Sequence, residues 1–213
     1  MEIFEVVFDI AYLVGVIFLS SVIIRNGNIK KDVSIILFGV MGLLLGFGDS
    51  FHLVPRILAH LTTGMDDYAL YLGVGKLITG VTMTIFYYLI YLVFTKRTNI
   101  KSEKVHYSII LLIIVRFILL ALPGNEWTLN SNNLFYGIIR NVPFALLGGI
   151  IVYEFIKSKK SPFDKMGIWI IVSFVCYIIV VVGSGFIPAL GAFMMPKTIA
   201  YFIIIYLGYK ELK

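Results

Sequence analysis

The sequence predicts an all-α, polytopic membrane protein: seven transmembrane helices forming a single domain over residues 1–213. One basis is composition, with 60% hydrophobic and only 14% charged residues and a mean hydropathy of +0.96. A soluble domain carries about 45–50% apolar and about 25% charged residues. The other basis is length. Crossing about 30 Å of hydrocarbon takes roughly 20 apolar residues, and such runs fall near 3–24, 33–54, 70–95, 105–122, 134–156, 167–187 and 191–209. A membrane β-barrel would show shorter segments of alternating polarity. The single cysteine, Cys176, lies inside an apolar run, which excludes disulfides and a cysteine metal site.

The first span opens on acids, Glu2, Glu5 and Asp9. It therefore reads as a retained helix rather than a cleavable signal, whose start is basic. Orientation follows from basic residues in short loops. Arg25, Lys30 and Lys31 follow span 1; Lys96, Arg97, Lys101 and Lys104 follow span 3; Lys157, Lys159, Lys160 and Lys165 follow span 5; Lys210 and Lys213 end the chain. These thirteen of eighteen basic residues share one side, so the N-terminus is expected outside and the C-terminus in the cytoplasm, in the cytoplasmic (inner) membrane. The net charge of +6 thus serves topology and does not indicate nucleic acid. The other connections carry Asp66 and Asp67, Glu126 within Pro123–Asn133, and a nearly uncharged turn from Pro188. Residues 56–67 read as an outer interfacial segment, with Tyr68, Tyr71 and Trp127 as an aromatic belt.

The chemistry concentrates in span 2, in Leu43-Leu-Leu-Gly-Phe-Gly-Asp49-Ser-Phe-His52-Leu-Val-Pro55-Arg56. Asp49, His52 and Arg56 stand at i, i+3 and i+7, on one helical stripe. Pro55 can kink the helix, and Gly42, Gly46 and Gly48 admit a close neighbour. A carboxylate in lipid is costly enough to mark a functional site with a partner nearby. Four cations outside the loops, Lys76, Arg116, Arg140 and Lys197, sit in four other spans. Each is six or seven residues from the outer end of its run, about 10 Å deep, with Asp9 and Asp49 at a similar level. Arg116, in Ile-Ile-Val-Arg-Phe-Ile-Leu-Leu, is expected to face the interior and pair with Asp49 or Asp9.

Two acids against four bases leave an excess positive field open to the outer leaflet. That field suits a phosphate-bearing anionic amphiphile or other membrane lipid, with Arg56, Lys76, Arg116, Arg140 and Lys197 as substrate-binding cations. Pro143 and Pro196 would loosen the backbone beside them. Asp49 with His52, and Asp9 as a second carboxylate, are the candidate acid/base residues. The leading expectation is a membrane hydrolase of a lysophospholipid-like amphiphile that needs no cofactor. The alternatives are a binder, sensor or transporter of a small anion or lipid, and a buried ion-pair network that only locks the helices together. An opsin-like role for Lys197 is disfavoured because the residue lies high in the last span beside Pro196.

Gly48-Asp49, Leu53, Pro55 and Arg56, followed by Tyr71-Leu-Gly, resemble the lysoplasmalogenase-like (YhhN) family of multispanning membrane proteins over about 45 residues. The resemblance implies hydrolysis of the vinyl-ether bond of lysoplasmalogens by membrane aspartates, with Asp49 as the first. The family's late Ser-Asp pair has no counterpart in Val172-Ser-Phe-Val-Cys176, and the family usually has eight spans. Gly46-Phe-Gly-Asp-Ser-Phe-His52 is also similar to a segment of the ceramidase and adiponectin-receptor superfamily. Its zinc would lack ligands, because the other histidines, His60 and His106, lie outside the last span.

Overall fold

The computed structural model describes residues 2–129, 133–183 and 185–212. Residues 130–132 of the long connection and the terminal Lys213, both placed by the sequence reading, lie outside them. Seven helices follow one another: α1 (Glu2–Lys30), α2 (Val33–Leu61), α3 (Ala69–Thr98), α4 (Glu103–Ala121), α5 (Leu134–Ser158), α6 (Phe163–Gly183) and α7 (Met194–Glu211). Each is long and apolar enough to cross a membrane.

The helices close into a ring. α1 packs on α2, α2 on α3, α3 on both α4 and α5, α5 on α6, α6 on α7, and α7 returns to α1 and α2. The core runs through the middle of this ring, with Phe38, Met41 and Leu45 of α2 and Phe86, Tyr87, Ile90 and Phe94 of α3 all buried. Phe94, Phe155 and Phe163 form a triangle of rings with centroids 4.9–5.2 Å apart. Outward faces remain apolar, as a lipid-facing surface requires.

One end of the ring collects the lysine-rich connections. Asp32 caps α2 through the amides of Ser34 (2.8 Å) and Ile35 (3.3 Å). It also pairs with Arg97 at 3.1 Å, and Arg97 donates to the Leu212 carbonyl at 2.8 Å. Lys165 pairs with Glu211 at 2.8 Å. The four basic clusters assigned to one side by sequence therefore do share one end.

Several boundaries differ from expectation. α1 runs on past residue 24 through the polar stretch to Lys30, and α2 continues through Pro55 to Leu61. Residues 56–61 are therefore a continuation of α2. Proline removes only one helical hydrogen bond, that to the Phe51 carbonyl, and α3 covers the gap. The last span begins as a 3-10 stretch, Pro188–Phe193, before α7. Asp49 consequently sits twelve residues from the end of α2, about 18 Å by helical rise, far deeper than Lys76 or Arg140.

The glycines of α2 act as expected. Gly42 faces Ser20 of α1, and Gly46 faces Val16 and Ile17 at 3.1–3.2 Å from where a Cβ would lie. Gly48 faces Thr82 of α3, whose neighbour Thr79 donates to the Gly48 carbonyl at 3.2 Å. The closest approach to another helix's backbone is at Gly75 of α3, where a Cβ would run into the Phe51 carbonyl and lie 2.7 Å from the His52 Cα. Gly75→Val should therefore lower stability by about 1–3 kcal/mol through overpacking. Gly149→Ala, with nothing within 4 Å, should leave it unchanged or raised. Thermal melting of both variants in the same detergent reads the contrast.

Candidate functional site

The cations assemble around α4 and α5. Arg116 lies five residues before the end of α4 and is only 3% exposed. Its Nε donates to Thr84 Oγ1 of α3 at 2.7 Å. Nη1 donates to the Arg140 carbonyl at 2.9 Å and to Asn141 Oδ1 at 3.3 Å, and the guanidinium lies 3.9 Å from the Phe144 ring centre. The expected pairing with Asp49 or Asp9 does not occur. α4 packs on α3 and α5, whereas the acids ride on α1 and α2, so the guanidinium is satisfied by neutral oxygens and a ring face instead. Among the described residues its Nη2 has no hydrogen-bond partner.

The connection after α4 folds inward over this group. Asn125, 1% exposed in the turn Pro123–Asn125, donates to the carbonyls of Leu119 (2.8 Å), Leu120 (3.3 Å) and Leu122 (2.9 Å). It thereby satisfies carbonyls that the last turn of a helix leaves open. Trp127 Nε1 donates to the Leu120 carbonyl at 3.0 Å, which ties the indole to the end of α4. Arg140 Nη1 donates to Asn125 Oδ1 at 2.7 Å, with its guanidinium 4.6 Å from the Trp127 ring centre.

Lys197 completes the cluster from the first turn of α7. Its ammonium sits 4.7 Å from the centre of the Tyr177 ring and 6.0 Å from that of Tyr201. Tyr177 donates to Asn141 Oδ1 at 3.1 Å, the same oxygen that Arg116 uses. One phenol therefore stands between the two cations. The hydroxyls of Tyr201 and Tyr87 lie 3.2 Å apart beside them. Among the described residues, no carboxylate lies within ion-pair distance of Arg116, Arg140 or Lys197. Lys76 is half-buried in α3, within the field of Arg140 and Arg56.

The acids occupy the α1–α2 side. Tyr12 donates to Asp49 Oδ2 at 2.7 Å, and Asp9, 6% exposed, makes no hydrogen bond among the described residues. The positive charge of Lys197 acts on Asp49 without direct contact. His52 turns away from Asp49, its Nδ1 lying 3.2 Å from the Leu72 carbonyl. A carbonyl only accepts, so this nitrogen carries the hydrogen. The expected Asp49–His52 acid/base pair is therefore not assembled, because Leu72 presents its carbonyl where α2 and α3 meet at Gly75. Arg56 pairs with Glu5 of α1, and His60 Nε2 lies 3.6 Å from the same carboxylate. Arg56 thus belongs to a half-buried ion cluster on the α1–α2 side.

Sequence reasoning missed Glu5, Tyr12, Asn141, Tyr177 and Tyr201. For α1 the signal was present, since Glu5, Asp9 and Tyr12 stand at i, i+4 and i+7, on one face with the buried Val16. Asn141 directly follows Arg140 and could have been read with it. The two tyrosines carry no signal that separates them from packing residues.

Comparison of the chain with protein-family models, with curated proteins and with solved structures returns no match. Among the described residues no three His, Cys, Asp or Glu side chains converge to hold a metal ion. Fold and site define a seven-helix, multi-pass membrane protein with a cationic, tyrosine-lined interior.

Tyr12→Phe should cost about 1.5–3 kcal/mol, the range for hydrogen bonds to charged groups. Asn125→Ala should cost at least as much, because it removes the amide donor shared by three carbonyls at the end of α4 together with the Oδ1 that holds the Arg140 head. Chemical denaturation in mixed micelles checks both. A change within about 0.5 kcal/mol, the scatter of uninvolved surface substitutions, would contradict the anchoring roles of Tyr12 and Asn125.

Proposed function

We propose that this protein binds a small anion, or the phosphate headgroup of an anionic amphiphile, in the space bounded by Arg116, Arg140 and Lys197. The observation that carries this reading is that Arg116 is buried in a membrane bundle with Arg140 and Lys197 half-buried beside it, all three held by neutral oxygens and aromatic faces with no counter-carboxylate among the described residues. A buried charge without a counter-ion is expensive. An arriving anion offsets that cost, and the spare Nη2 donors of Arg116 and the ammonium of Lys197 are its first partners. Tyr177 and Tyr87 supply hydroxyls at the same level. The uneven charge of the two ends supports placing the lysine-rich end in the cytoplasm of an inner membrane, so that the cationic interior opens toward the outer leaflet.

Hydrolysis of a lysophospholipid-like substrate is the second reading. It is favoured by the two carboxyl groups, Asp49 and Asp9, whose charges both act on Tyr12. It is weakened by the engagement of His52 with Leu72.

Purified protein titrated with inorganic phosphate and with lysophosphatidate, followed by calorimetry and product analysis, separates the readings. Binding without turnover that falls by at least about tenfold in Lys197→Gln and in Arg116→Gln, the loss expected when one charge-assisted contact is removed, supports the binder. Lipid cleavage abolished by Asp49→Asn would move the assignment to the hydrolase. The absence of both binding and cleavage would leave only the ion network.

A further inference from the structure

A separate feature lies on the outward, lipid-facing side of the α2–α3 pair. Two cavities of about 470 and 510 Å³ share Pro55 and Tyr71 and so form one groove. Its inner stretch is lined by Phe51, Val54, Leu70 and Val74, all substantially exposed. Its outer end is polar, lined by Thr63, Asp67 and Tyr68. The floor is set by backbone. Pro55 leaves the Phe51 carbonyl without its helical amide, and Gly75 brings α3 directly against that carbonyl. The helices touch there, so the larger side chains stand up as walls.

The polar end has a defined chemistry. The Asp67 carboxylate has no ion-pair partner among the described residues. Thr62 Oγ1 gives its one proton to the Leu58 carbonyl at 2.7 Å, so in its 3.3 Å contact with Tyr68 the phenol is the donor; a phosphate oxygen is a stronger, charged acceptor for that proton than this long contact. Thr63 adds a second hydroxyl. An exposed acid beside two hydroxyl donors, at the mouth of an apolar trough, complements a molecule with an ammonium and a phosphate at one end and a hydrocarbon chain at the other.

We infer that the α2–α3 groove is a seat for a phospholipid with a primary-amine headgroup, of the phosphatidylethanolamine class. The ammonium meets Asp67, the phosphate meets Tyr68 and Thr63, and one acyl chain lies along Phe51, Val54 and Val74. A quaternary ammonium cannot donate hydrogen bonds to Asp67, and a glycerol headgroup brings no positive charge. The site is therefore selective by charge and by donor count.

Native mass spectrometry of the full chain, from micelles containing equal amounts of phosphatidylethanolamine, phosphatidylcholine and phosphatidylglycerol, tests this. Retained phosphatidylethanolamine should exceed either competitor by about tenfold, the value of one charge-assisted hydrogen bond. Asp67→Asn, at an exposed position, should erase the preference, and Val74→Trp should reduce retention by filling the trough. Equal retention of the three lipids would mean ordinary surrounding lipid and overturn the inference. So would a preference untouched by Asp67→Asn, or one for phosphatidylglycerol. If Val74→Trp does not fold, Asp67→Asn alone decides.

Discussion

Arg116 carries a permanent charge into hydrocarbon, and the arrangement of α3, α4 and α5 answers that fact. Among the described residues no carboxylate is offered to it. Thr84, the Arg140 carbonyl and Asn141 each give an oxygen, and Phe144 gives a ring face. Neutral acceptors stabilise the cation while leaving its charge uncancelled, which a salt bridge would not do. The remaining pieces extend the same logic. Arg140 is held by Asn125 and Trp127, and Lys197 by two tyrosine faces. Each cation is placed, and none is neutralised by direct contact.

The acids are kept apart by connectivity. α1 and α2 form a tight pair through Gly42 and Gly46, and within it Tyr12 binds Asp49 and Glu5 binds Arg56. This side carries an excess of acids, since Asp9 and Asp49 have no cation in contact among the described residues. The opposite side carries an excess of cations, and the ring closed by α7 sets the two against each other across the interior. α7 carries Lys197 and packs on α1 and α2 as well as on α6, so it joins the two halves.

The spans were legible because hydropathy and length are local properties, and the gathering of basic loops at one end followed from the same count. Helix ends were less so. Arg25 to Lys30 and Arg56 to Leu61 are polar enough to look like loops, yet nothing in them breaks a helix once Pro55 is accommodated. Partners were the least legible. The identity of Arg116 announces that something must receive it, but Thr84 lies 32 residues away and Asn141 lies 25 away. Only the packing of α3 and α5 brings them there. His52 shows the converse, since its i+3 spacing from Asp49 was correct while its ring was claimed by a carbonyl of another helix.

α4 has 19 residues where α3 has 30, lengths of about 28 Å and about 45 Å by helical rise. Of the two, α4 alone comes close to the roughly 30 Å of hydrocarbon, so α3 overreaches it, and its last turn carries Lys96 and Arg97. The sector around α4 has no apolar length to spare, so a thicker bilayer must thin there. The inward-folded turn carrying Asn125 and Trp127 caps this short sector. Bilayer thickness thereby becomes a variable to which the approach to Arg116 and Arg140 past that turn responds.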